Sequence, residues 1–131
     1  MAKQATKTTK MTLTEELQAL AQRLERRYTQ TKADFLESVE TNPAEAVAWH
    51  GGEMAKVQAP HEQLMHLAAF LKDQTPESAL RDILNEIGRN MELFFGGQST
   101  SAFQNAVARA RIEGLLALKR DLQFLADQYN A

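Results

Sequence analysis

Apolar side chains recur at steps of three to five along residues 102–129: Phe103, Val107, Ala110, Leu115, Leu118, Leu122, Leu125 and Tyr129. A stripe kept over that distance fits only an α-helix, in which residues three and four apart share a face. Ile112, Leu116 and Phe124 lie outside the seam and widen it, so this helix is expected to meet neighbours on more than one side. No stretch alternates with period two, and no strand–turn–strand signal occurs. These constraints leave an all-α fold. The expectation is a single compact helical bundle of four to five helices, with two long helices (about 13–40 and 102–129) framing shorter ones.

Start and stop signals divide the rest. Residues 1–11 are rich in Lys, Thr and Gln with almost nothing to bury, which predicts a disordered basic tail. Thr12 and Glu15 have the spacing of a capping box, in which hydroxyl and carboxylate each satisfy a backbone amide at the helix start. Leu13, Leu17, Leu20, Leu24 and Tyr28 then run at helical spacing, and Phe35, Leu36 and Val39 continue the face after a polar gap at residues 29–32. Asn42-Pro43 with Glu45 and Thr75-Pro76 read as further helix starts. Between them, Gly51-Gly52 predicts a break or a close helix–helix contact, and Ala59-Pro60 predicts an end or kink. A third helix over residues 61–73 and a fourth carrying Leu80, Ile83, Leu84, Ile87, Met91, Phe94 and Phe95 complete the pattern. Gly96-Gly97 closes the fourth helix, and Ser101 with Gln104 opens the last. Residues 12–131 thus form one domain, of a length that buries a core without staples.

The chain has 131 residues and no cysteine, which removes disulfides, thiolate metal sites and cysteine nucleophiles. No apolar run approaches the roughly 18 residues of a membrane span, and the N-terminus lacks the apolar middle of a signal peptide, so a cytoplasmic location is expected. The net charge of −2 is indifferent to polyanions. Its distribution is uneven: Lys3, Lys7 and Lys10 precede any acid, whereas residues 41–101 carry eight acidic against four basic side chains.

All three histidines and the one tryptophan fall within Trp49-His50-Gly51-Gly52-Glu53 and His61, Glu62 and His66. Imidazole and carboxylate suit zinc or iron, but a di-iron bundle needs Glu-x-x-His pairs and a zinc protease needs His-Glu-x-x-His. Neither occurs, so no metal or other cofactor is assigned, and Trp49 reads as an anchor between helices. Ser99-Thr100-Ser101 after the glycines lacks the Gly-Lys-Ser/Thr ending of a phosphate loop. No base–nucleophile pairing stands out either, and no enzyme is expected.

Two readings of the function remain. In the first, the apolar surplus of the last helix exceeds what one core can absorb, and Trp49, Phe94, Phe95, Leu116 and Phe124 bind a protein partner: a second copy, or a larger complex of a bacterial or mobile-element system in which this chain is an accessory subunit. In the second, Arg23, Arg26 and Arg27 of the first helix join Arg109, Arg111, Lys119 and Arg120 of the last. If those helices lie side by side, the seven form a basic strip for nucleic-acid phosphates. Interspersed Glu25, Asp34, Glu113 and Asp121 instead resemble a solvated, ion-paired surface. A metal-binding bundle is the third and weakest.

Overall fold

A computed structural model of the chain describes residues 11–96 and 102–130, without the side chains of Ala48, Trp49, Phe94, Phe95 and Phe103. Five helices follow one another: α1 (Leu13–Thr41), the single turn α2 (Pro43–Glu45), α3 (Gly51–Asp73), α4 (Pro76–Gly96) and α5 (Ala102–Gln128). A π-helical turn, Ala46–His50, joins α2 to α3. The fold is the all-α bundle expected, and no strand occurs among the described residues.

The caps act as their spacing requires. The Thr12 amide donates to the Glu15 carboxylate at 3.0 Å while the Glu15 amide donates to the Thr12 hydroxyl at 3.2 Å. Asn42 accepts from the Glu45 amide at 3.2 Å, and Thr75 from the Ser78 amide at 3.2 Å. Each device satisfies donors that have no partner in the first helical turn. The opening helix is one uninterrupted element of 29 residues.

The core is built from one face of each long helix. Leu13, Leu17 and Leu20 of α1 meet Leu64 and Leu67 of α3, Leu80, Ile83 and Ile87 of α4, and Leu115, Leu118, Leu122 and Leu125 of α5. Each such side chain contributes about 1.5–3 kcal/mol, an upper estimate because the unfolded chain is partly collapsed. Burial is confined to part of the length: no residue of 28–41 and none of the described side chains of α5 before Gly114 is buried. Helix α3 is the hub. It packs most extensively on α5 and also on α1 and α4, whereas the backbones of α1 and α5 hardly approach one another. Their ends are tied by the Tyr129 hydroxyl, which donates to the Met11 carbonyl at 2.5 Å.

The helix expected over residues 61–73 starts earlier, at Gly51. Pro60 does not end a helix: it lies inside α3, which runs unbroken from Gly51 to Asp73. A proline there removes the amide that would bond to the Lys56 carbonyl. That carbonyl instead faces Gly114 of α5, where an added Cβ would lie 2.0 Å from the Lys56 oxygen and 3.1 Å from Pro60 Cδ. Burial of the proline ring offsets part of the lost hydrogen bond. Of the break or close contact expected at Gly51-Gly52, the close contact is absent, since a Cβ at either would meet nothing within 4 Å. These residues mark the change from π to α winding. The close helix–helix contact lies at Gly114.

Candidate interaction surface

Helix α5 presents two faces of opposite character. Leu115, Leu118, Leu122 and Leu125 are buried against α3 and α4. On the other side Leu116 keeps 36% of its surface exposed and Phe124 keeps 68%. Residues 116 and 124 are eight apart, so both project from the same broad side of the helix. Glu113, Ala117, Arg120, Gln123 and Asp127 share the exposed side. Among the described residues the other four helices therefore do not cover the whole of α5, and Leu116 and Phe124 are left open. Leu93, near the end of α4, is 71% exposed. The side chains of Trp49, Phe94 and Phe95 lie outside the described residues, and the anchoring expected of them is an expectation still.

The histidine-bearing stretch of α3 does something the sequence did not suggest: it pins α3 to three different helices. His61 Nε2 lies 2.5 Å from the Glu25 carboxylate of α1, with the Tyr28 ring stacked on the imidazole at 3.9 Å and tilted by 7°. Lys32 stands 5.9 Å from the centre of the same tyrosine ring. Glu62 accepts from the Arg111 guanidinium of α5 at 2.9 Å. His66 Nδ1 lies 2.7 Å from Glu86 of α4. The residues considered as metal ligands are thus directed to separate partners, and no group of three or more His, Asp or Glu converges among the described residues.

The seven basic residues do not form one strip. α3 intervenes between α1 and α5, Arg111 is half-buried in its pair with Glu62, and Lys119 is half-buried as well. Arg23, Arg26, Arg27, Arg109 and Arg120 are exposed. Where α1, α3 and α5 meet in a depression of about 60 Å³, Arg27 and Lys56 share the lining with Asp121.

An open groove of about 470 Å³ runs between α1 and α3. Ala21, Leu64, Met65 and Ala68 line it, with Gln22, Glu25, Arg26 and His61 as the polar members. Two alanines on facing helices leave the space, a coincidence visible only once the helices are paired. Its polar groups are already committed in part to the His61–Glu25 pin.

Among the described residues two titratable groups depart from their ordinary values, and both lie where α1 begins and α5 ends. The Thr12 amide and hydroxyl hold the Glu15 carboxyl below its usual 4.5. Loss of solvation, with the Glu16 and Glu15 charges nearby, pushes the Tyr129 phenol up. Neither adjoins the open face of α5 around Leu116. No helix of the described residues is long and apolar enough to cross a membrane. No protein-family model matches the chain, and no curated protein or solved structure is significantly similar to it.

Proposed function

We propose that this chain is a non-enzymatic helical interaction protein of the cytoplasm, and that its working surface is the open side of α5. One observation carries the reading: the helix that buries Leu115, Leu118, Leu122 and Leu125 also holds Phe124 and Leu116 out to solvent. A lone exposed apolar residue is commonplace, but a phenylalanine at 68% exposure, two turns along the same side of the helix from an exposed leucine, is costly to leave uncovered. Burying the phenylalanine alone is worth about 1.5–3 kcal/mol, the scale on which an interface anchor acts.

Phe124→Asp and Leu116→Asp test it. Each variant should keep the circular dichroism and melting behaviour of the parent, because neither side chain belongs to the core. Each should lose association, read as native mass for the protein alone and as recovery of partners from an extract of the native host. Variants that unfold would return these residues to the core. Variants that match the parent in mass and in recovered partners would remove α5 as the working surface.

A further inference from the structure

Resting on that reading, we propose that the open side of α5 binds a second copy of itself, antiparallel, about a two-fold axis passing between Leu116 and Ala117. The positions that face outward are Ala102, Ala106, Arg109, Glu113, Leu116, Arg120, Phe124 and Asp127, at steps of four, three, four, three, four, four and three. Spacing near 3.5 keeps one seam turned toward a partner helix over the whole element. All eight are exposed. Arg109, Glu113 and Arg120 have no ion-pair partner among the described residues, in contrast with Arg111, and Asp127 accepts only a hydrogen bond from its own neighbour Gln123.

Charge selects both the partner and the register. When α5 is laid antiparallel on a copy of itself, residue numbers that oppose one another have a constant sum. With the axis between 116 and 117, Glu113 opposes Arg120 of the second copy. Arg109 comes within reach of its Asp127, and Leu116 meets Leu116 and Ala117. Phe124 then covers the short Ala106 and the aliphatic stem of Arg109. Two-fold symmetry makes each of these contacts twice except Leu116 with Leu116, which lies across the axis, as an isologous interface must. Sliding the copies past one another by seven residues, about two turns, breaks the match: a register that opposes Leu116 to Phe124 also opposes Glu113 to Asp127 and Arg120 to itself. Like charges so juxtaposed disfavour that alternative. The small side chains at 106 and 117 let the two backbones approach.

The chain lacks cysteine, so single introduced thiols report the geometry cleanly. Disulfides need Cα atoms within about 7 Å. Ala117→Cys, next to the axis, should therefore dimerise efficiently under mild oxidation. Phe124→Cys should not, since positions 124 of the two copies stand about 22 Å apart at 1.5 Å per residue. The double variant Arg109→Cys with Phe124→Cys should cross-link where neither single variant does. In parallel, Glu113→Arg should weaken self-association of the reduced protein at least tenfold, and adding Arg120→Glu should restore it. Cross-linking of Phe124→Cys as readily as Ala117→Cys, or no restoration in the charge exchange, overturns the register. A purified parent that stays monomeric at every concentration overturns the second copy as occupant. Either failure is separable from failure of the broader reading, which falls only if Phe124→Asp also leaves partner recovery from the host extract unchanged.

Discussion

The carbonyl oxygen of Lys56 points at Gly114, and it does so because Pro60, four residues on, has no amide to engage it. A Cβ at position 114 would lie 2.0 Å from that oxygen, far inside van der Waals contact and against backbone that cannot rotate away. This crossing sets the separation of α3 and α5, the most extensively packed pair in the molecule.

Gly114→Ala is therefore expected to destabilise. In an unobstructed helix the same change gains up to about 1 kcal/mol, so the sign itself is informative. Overpacking against backbone outweighs that gain, with a net loss of about 2–4 kcal/mol and a fall in melting temperature of roughly 10 °C. A thermal melt followed at 222 nm measures it. An unchanged or raised midpoint would show that the two helices do not cross there.

Gly52→Ala should go the other way. A Cβ at Gly52 meets nothing within 4 Å, and its φ is not in the left-handed region. Replacing it restricts the unfolded chain without strain in the folded one, which is worth about 0.4–1 kcal/mol. Urea titration of the two glycine variants side by side should give midpoints displaced in opposite directions from the parent.

Gln63 is buried at 4% exposure, and its Oε1 has no hydrogen-bond partner among the described residues. A buried acceptor left unpaired costs about 1–3 kcal/mol relative to one that is satisfied. Gln63→Met keeps the length and flexibility of the side chain while removing that acceptor. The variant should unfold at higher urea with an unchanged slope. A midpoint below that of the parent would mean that the amide has a partner after all.

The Thr12–Glu15 cap gives a pH signature. Because the Thr12 amide and hydroxyl hold the Glu15 carboxyl below its usual 4.5, the charged form is favoured in the folded state. Its contribution is complete above the unfolded value and is lost as pH falls through the lower folded value. The stability difference between the parent and Glu15→Gln should accordingly be present at pH 7 and shrink below pH 4. A difference that does not change over that range would detach the carboxylate from the cap.

The sequence made most of the architecture legible, because helix starts are chemistry within four residues. Thr12 with Glu15, Asn42 with Glu45 and Thr75 with Ser78 need nothing from the rest of the fold. The long stripes were readable for the same reason: spacing alone states which residues share a face. Pro60 and Gly114 were not readable, since the local cost of a mid-helix proline is offset only by a partner helix more than fifty residues away. The groove between α1 and α3 depends on Ala21 facing Ala68, and no single-helix pattern contains that. At the candidate surface, the width of the α5 stripe was visible. Which of its residues remain outside was fixed by how many helices surround it, and Leu115 and Leu116 differ in burial from 1% to 36% on that account alone. The basic residues were grouped on the assumption that α1 and α5 lie side by side, whereas the backbones of these helices hardly approach one another and each packs mainly on α3.

The most direct measurement is light scattering on the purified parent and on Phe124→Asp over a concentration series, with circular dichroism on both. The parent mass should rise from 14.7 kDa toward twice that value, while the variant stays at 14.7 kDa with undiminished helicity. Superimposable mass curves for the two proteins would contradict self-association through the open face of α5.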